Sequence, residues 1–171
     1  NLDGSEGKMC GNGIRCVAKY LFDNGIAKGQ KVGEGRHVLH IDTKSGVKEC
    51  TVITKNGLVS KVTVDMGKAE LAPEKVPVRL EGEKVVNKPI SIGGNVYRIT
   101  CCSMGNPHCT VFVPSVDKLD LEDLGPKFEH DPMFPDRVNV EFVEVIDQHT
   151  LKARIWERGS GETMACGTGT C

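Results

Sequence analysis

The chain has 171 residues, with 22 Lys plus Arg against 23 Asp plus Glu and a formal net charge of −1. That length supports one ordinary domain or two small ones, each with its own core, and the even charge offers neither a basic face for nucleic acid nor a cationic surface for a membrane. A small-molecule partner is the class left. Eight cysteines in a chain apolar enough to build a core, with no secretory leader, point to a reducing cytoplasm rather than a disulfide framework. Their spacing does not suit zinc either: Cys10 and Cys16 stand six apart, Cys101 and Cys102 are adjacent, Cys166 and Cys171 stand five apart, and C-x-x-C is missing, so no metal is expected.

In chain order, the sequence opens inside a turn-rich "NLDGSEGK" without an initiator Met and reaches "MCGNG" at 9–13. Apolar residues then fall at Ile14, Val17, Ala18, Leu21 and Phe22, a stripe that predicts a helix buried along one face and ending at Asn24-Gly25. Strands are predicted at about 36–42, 47–53 and 58–65, with Leu58, Val62 and Val64 sharing a face with Ser60 and with Asn56-Gly57 as a strong hairpin signal. A second series is predicted at roughly 76–80, 84–92, 96–103, 108–113, 137–146 and 150–157; the polar, Pro-bounded stretch inside it is expected to be at most briefly helical. The last strand leads through "RGSGETMA" into Cys166-Gly167-Thr168-Gly169, where the chain stops just as a helix is due. Both ends are expected to be cut from a longer protein.

The two ends of the sequence share an order: Gly-Ser, a Met, a Cys, a Gly-x-Gly step and a helix. This predicts a duplicated domain. A cysteine at a helix mouth lies where free N–H groups and the helix dipole favour negative charge, so a thiol of reference pKa about 8.5 is expected to fall to roughly 3.5–7.5. The glycines let backbone approach a ligand, and the N–H groups of Gly11, Asn12, Gly167 and Thr168 suit a carboxylate. Two such units facing each other would place Cys10 and Cys166 on either side of a carbon bearing that carboxylate, one sulfur removing the α-proton while the other delivers a proton to the opposite face. With each sulfur about 3–3.5 Å from the carbon, the pair would be roughly 6–7 Å apart.

Four stretches, "NLDGSEGKMCGNGIRCVAKYLFDNG", "GNPHCTVF" at 105–112, "RVNVEFVEV" at 137–145 and "WERGSGETMACGTG" at 156–169, resemble the diaminopimelate epimerase family in its motif order. The resemblance implies an α/β fold of two pseudo-symmetric domains, each a β-barrel-like, mainly antiparallel sheet around a central helix. Residues 1–65 would be part of the N-terminal domain and 66–171 part of the C-terminal one. It also implies a cofactor-free, two-cysteine epimerase that interconverts LL- and meso-diaminopimelate. By the same resemblance Cys10 and Cys166 are the acid/base pair, Gly11-Asn12 and Gly167-Thr168 the carboxylate clamp, and Asn1, Asn106, Asn139, Glu157 and Arg158 further substrate contacts. Arg158 suits the distal carboxylate, and His108 and Glu157 would help set thiol protonation. Monomer and homodimer are both left open.

The residues alone keep other readings alive. Cys16, Cys50, Cys101, Cys102 and Cys109 read as small buried apolar side chains; His108 could cap a turn, Glu157-Arg158 could be a local ion pair, and Asn139 could face solvent as easily as substrate. His37, His40, His130 and His149 read as surface residues. A proline-racemase-like enzyme would share the cysteine pair but have His where this chain has Asn12; a relative of the phenazine-synthesis isomerases would lack the pair; a non-catalytic amino-acid-binding module would need no reactive thiol.

Overall fold

The structure, a computed structural model, describes Gly4, Gly7 and residues 9–171. The chain divides into two compact units, one ending at Gly67 and one spanning Lys68–Thr170. Both are mixed α/β, with mainly antiparallel sheets.

In the first unit, α1 (Gly11–Asp23) packs on a four-stranded antiparallel sheet in the order β1 (Gln30–Gly33), β2 (Arg36–Ile41), β3 (Lys48–Lys55), β4 (Leu58–Val64). Ile14 and Ala18 from the expected stripe join Met9, Leu39, Cys50, Val52 and Val59 in the core, whereas Val17 is exposed. Asn24 caps the helix, as the Asn-Gly signal predicts. The β3–β4 hairpin turns at Asn56 (φ 54°) and Gly57 (φ 80°), two left-handed residues in succession, which suits the right-handed twist of the strands. One face assignment is reversed: Leu58 is exposed and Val59 buried. Thr54 pairs with Val59 and Ile53 with Lys61, so Ser60 is an extra residue in the ladder, and a bulge of this kind shifts the alternation by one. Val59, Val62 and Val64 therefore pack with the core. Cys16, expected inside, lies on the exposed side of α1, and His37, expected at the surface, is half-buried with its ring edge-on to Phe22.

The second unit holds a six-stranded sheet in the order β10-β9-β8-β7-β6-β5, from β5 (Lys88–Ile92), β6 (Asn95–Ser103), β7 (Pro107–Phe112), β8 (Asn139–Val145), β9 (Leu151–Glu157) and β10 (Gly161–Thr163). All neighbours are antiparallel except β7 and β8. The crossover between those two contains α2 (Leu121–Glu129), capped by the Asp120 carboxylate on the Asp123 N–H. Period-two alternation sends Cys109, Val111, Val140 and Phe142 to the core, where Phe128 of α2 meets Phe142 edge-on. Gly125 lies so close to the Trp156 ring that a Cβ there would overlap it.

No strand forms at 76–80. Pro73 and Pro77 bracket a turn whose bonds, such as Val76 N–H to Ala72 O, are local, and Val76 and Val78 reach the core from it. The 84–92 strand starts only after Asn87, whose φ of 52° breaks the extended run. Among the described residues no helix is long and apolar enough to cross a membrane.

Candidate active site

On the face of β7 and β8 opposite the core, the register sets His108 beside Asn139 and Thr110 beside Glu141. α3 (Gly167–Thr170) packs over β8 on this side, and Gly169 lies directly against the Glu141 carboxylate; a Cβ on Gly169 would overlap Glu141 Oε1. A polar face of a sheet is thereby buried under the last helix turn.

Cys166 immediately precedes α3 and is 6% exposed. Its sulfur lies 3.3 Å from Thr168 Oγ1 and accepts the Gly169 N–H. The lowered pKa expected of a helix-mouth thiol does not hold here. Burial pushes Cys166 up, outweighing the Thr168 and Gly169 hydrogen bonds, and the nearby Glu157 and Glu141 add to the rise. Cys166 thus rests as a thiol at neutral pH.

Around it, Asn106 Nδ2 donates to Thr168 Oγ1 at 3.2 Å, and Asn106 Oδ1 lies 3.2 Å from His108 Nε2. His108 Nδ1 lies 2.7 Å from Glu141 Oε1, both side chains being almost fully buried. Glu141 Oε2 is buried without a hydrogen-bond partner, and burial raises the Glu141 pKa against the lowering effect of His108. His108 is therefore no turn cap. One ligand atom each from His108, Glu141 and Cys166 lie within 4.8 Å of one another, the set among the described residues that could hold a metal ion.

The other predicted residues of this unit line the neighbouring loop. Asn139 is buried, not solvent-facing: Nδ2 donates to Pro107 O at 2.8 Å and Oδ1 accepts the Arg158 N–H at 3.0 Å, so its amide ties β8 to the loop after β9. Glu157 accepts Thr163 Oγ1–H at 2.6 Å, and Arg158 Nη1 donates to Asp136 O at 2.7 Å. Beneath this loop Glu129 is 3% exposed; its Oε1 accepts Gly159 N–H at 2.8 Å and Arg137 Nη1 at 3.2 Å, and its Oε2 accepts Trp156 Nε1–H at 2.7 Å.

In the first unit Cys10 is the N-cap of α1, and its exposed sulfur accepts the Gly13 N–H at 3.3 Å. A Cβ on Gly13 would stand 3.3 Å from that sulfur. Gly11 is buried and Asn12 half-buried in the first turn, where the Asn12 Oδ1 accepts from Arg15 Nη2. Asn1 lies outside the described residues. Cys10 and Cys166 thus hold the same local position, a side chain capping the N–H three residues on.

Sequence reasoning missed Glu141 and Glu129. The available signal for Glu141 was the alternation Asn139-Val140-Glu141-Phe142, which puts two polar residues on one face of a strand with its apolar residues on the other.

The fold is shared with amino-acid racemases and epimerases. A hydroxyproline epimerase from Agrobacterium vitis superposes with a TM-score of 0.65 at 16% identity, over 92% of this chain and 48% of its own. A probable proline racemase from Agrobacterium radiobacter does so with 0.66 at 17%, over 91% and 48%. The diaminopimelate epimerase family model matches residues 1–72 and 100–171. Diaminopimelate epimerases of Acetivibrio thermocellus and Desulfovibrio desulfuricans are 49% and 46% identical over all of this chain and 59% of their own length. The chain belongs to the diaminopimelate epimerase family, and it spans about three fifths of the length of these relatives.

Proposed function

We propose that this chain carries the two-thiol centre of an epimerase that interconverts LL- and meso-diaminopimelate in lysine and peptidoglycan precursor synthesis, in the cytoplasm, where thiols stay reduced. The observation that carries this reading is the matched placement of Cys10 and Cys166, each capping a helix start and each accepting the N–H of the second glycine of its Gly-x-Gly step. Residues 1–65 and 66–171 would then belong to the two halves of a duplicated enzyme. Inversion at carbon needs a base on one face and an acid on the other. In this scheme one sulfur, as thiolate, removes the α-proton while the other, as thiol, delivers a proton to the opposite face, and the reverse reaction exchanges the roles; burial favours the thiol form of Cys166. Two thiols suffice for both proton transfers, so the reaction calls on no cofactor. N–H groups of Gly11, Asn12, Gly167 and Thr168 receive the α-carboxylate, and Arg158, with its fork of donors, takes the distal carboxylate. Asn1 and Asn106 contact the remaining polar groups. Asn139 holds the Arg158 backbone in place, and Glu157 and His108 set the field around Cys166.

The test is deuterium uptake. Incubated with LL-diaminopimelate in deuterated water, the protein is expected to label the α-carbon it inverts, and Cys10→Ala and Cys166→Ala should each lose at least about 10²-fold in rate. Near-normal turnover in either variant would sink the two-thiol scheme. Labelling of proline in preference to diaminopimelate would move the enzyme to the racemase class.

A further inference from the structure

Five side chains of the second unit form an unbroken hydrogen-bonded chain: Glu141, His108, Asn106, Thr168, Cys166. The direction of each bond follows from the donors available. Asn106 Nδ2 can only donate, so Thr168 Oγ1 accepts from it and has its own hydrogen free to point at the Cys166 sulfur. Asn106 then presents Oδ1, an acceptor, to His108 Nε2, which must carry a hydrogen. That leaves His108 Nδ1 and Glu141 Oε1 to share one further proton. Whether it rests on the ring, as imidazolium and carboxylate, or on the carboxyl, as neutral imidazole and acid, the pair holds the same two protons and the Nε2 hydrogen stays in place. The neutral form fits the buried Glu141 Oε2 that has no partner, since an ionised oxygen there would be left without compensation.

We infer that Glu141 is a positioning residue: by occupying His108 Nδ1 it forces the ring hydrogen onto Nε2, and through Asn106 this turns the Thr168 hydroxyl into a donor to Cys166. Its consequence is a thiolate that is easier to form at Cys166 when that residue's turn as base arrives. The role in turnover rests on the epimerase reading above; the hydrogen-bond direction does not. Groups facing Cys166 are Thr168, the Gly169 N–H, Glu157, Glu141 and His108 beyond them. A plain charge effect would act with the opposite sign, because a carboxylate at 141 disfavours a thiolate and its removal would ease ionisation.

The experiment reads the pH dependence of Cys166 alkylation by iodoacetamide, with the Cys166 peptide quantified by mass spectrometry and no substrate present. Failure of the epimerase reading therefore leaves it unaffected. Glu141→Met should raise the midpoint by about one pH unit, a tenfold slower reaction at pH 7. Glu141→Gln should stay within about twofold, since its amide donates to Nδ1 and preserves the direction of every bond. In a Thr168→Val background Glu141→Met should add nothing, because the last link is already gone. An unchanged or lowered midpoint in Glu141→Met, a Gln variant as impaired as the Met one, or a full additional shift in the Thr168→Val background would each overturn the inference. Should Glu141→Met not fold, nitrogen-15 NMR of the unaltered protein decides alone: His108 must show a hydrogen on Nε2, and a bare Nε2 refutes the chain.

Discussion

Replacing Glu129 with Leu strands three donors that now converge on one buried carboxylate: Gly159 N–H, Trp156 Nε1–H and Arg137 Nη1. The indole N–H is the costliest, since Trp156 is buried in the core and water cannot replace the lost acceptor; an unsatisfied buried donor costs about 1–3 kcal/mol. Gly159 is half-buried and the Arg137 side chain is 33% exposed, so both regain water and add less. A total of about 2–4 kcal/mol follows, or roughly 4–16 °C in melting temperature at about 2–4 °C per kcal/mol for a chain of this size. Glu129→Gln should not rescue it, because an amide presents an N–H to one of the donors that the carboxylate accepts. Trp156 is the sole tryptophan, so its emission reports the same site: both variants should shift it to the red and make it more open to acrylamide. The Arg158 loop, no longer held through the Gly159 N–H to residue 129, should also bind the proposed substrate more weakly. A Glu129→Gln protein that melts within about 1 °C of the parent with unchanged emission would refute the claim that this carboxylate organises the loop.

Gly169→Ala should destabilise by about 1–3 kcal/mol, because its Cβ would overlap the Glu141 carboxylate, whereas Gly13→Ala meets only a tight 3.3 Å contact with the Cys10 sulfur and should cost less; paired melting curves rank the two. Arg158→Lys should raise KM about tenfold or more, a point charge being unable to reproduce the guanidinium fork, and an unaltered KM would remove Arg158 from the distal carboxylate. Burial pushes the Cys102 thiol up to about 11. An unfolded thiol ionises near 8.5, so this contribution to stability is intact below about 8.5 and declines as pH rises towards 11. Urea midpoints measured across that range should fall less steeply for Cys102→Ala, and equal slopes would contradict the assignment.

How far the sequence could be read depended on whether the deciding contact was local. α1 was legible because its stripe and its Asn24 stop lie within one stretch, and the Asn56-Gly57 hairpin because the turn fixes the register. β1 and β10 were not: "QKVG" and "GET" have little strand character and owe their pairing to Arg36–Val38 and Ile155–Glu157. The bulge at Ser60 carries no mark in its neighbours. Cys10, Cys166, His108, Asn106 and Asn139 stand out in the sequence through their motifs, but Glu141 and Glu129 were passed over because a carboxylate reads as surface until its partners are known. Those partners lie 33 residues away at His108 and 27 and 30 away at Trp156 and Gly159. The raised Cys166 pKa was hidden for the same reason, burial being a property of the whole fold.

The one parallel pairing among the described residues, β7 beside β8, has a bearing on how this site can vary. Antiparallel neighbours joined by a tight turn must change together, since lengthening the turn slips the register. Here His108 and Asn139 are aligned by a crossover passing on the core side of the sheet, while the polar cluster lies on the other. The solvent-facing positions of the segment 113–138 can therefore vary without touching the polar cluster, whereas Val116, Leu121, Phe128, Phe134 and Val138 are fixed by the core. That freedom also ends at Glu129, which reaches beyond its own helix to fasten Gly159, and at Asp136, whose carbonyl accepts from Arg158 Nη1. The crossover is thus fastened to the Arg158 loop at two points, Glu129 and Asp136, and a loop graft that keeps both, together with the core residues of α2 and its flanks, should leave the site intact.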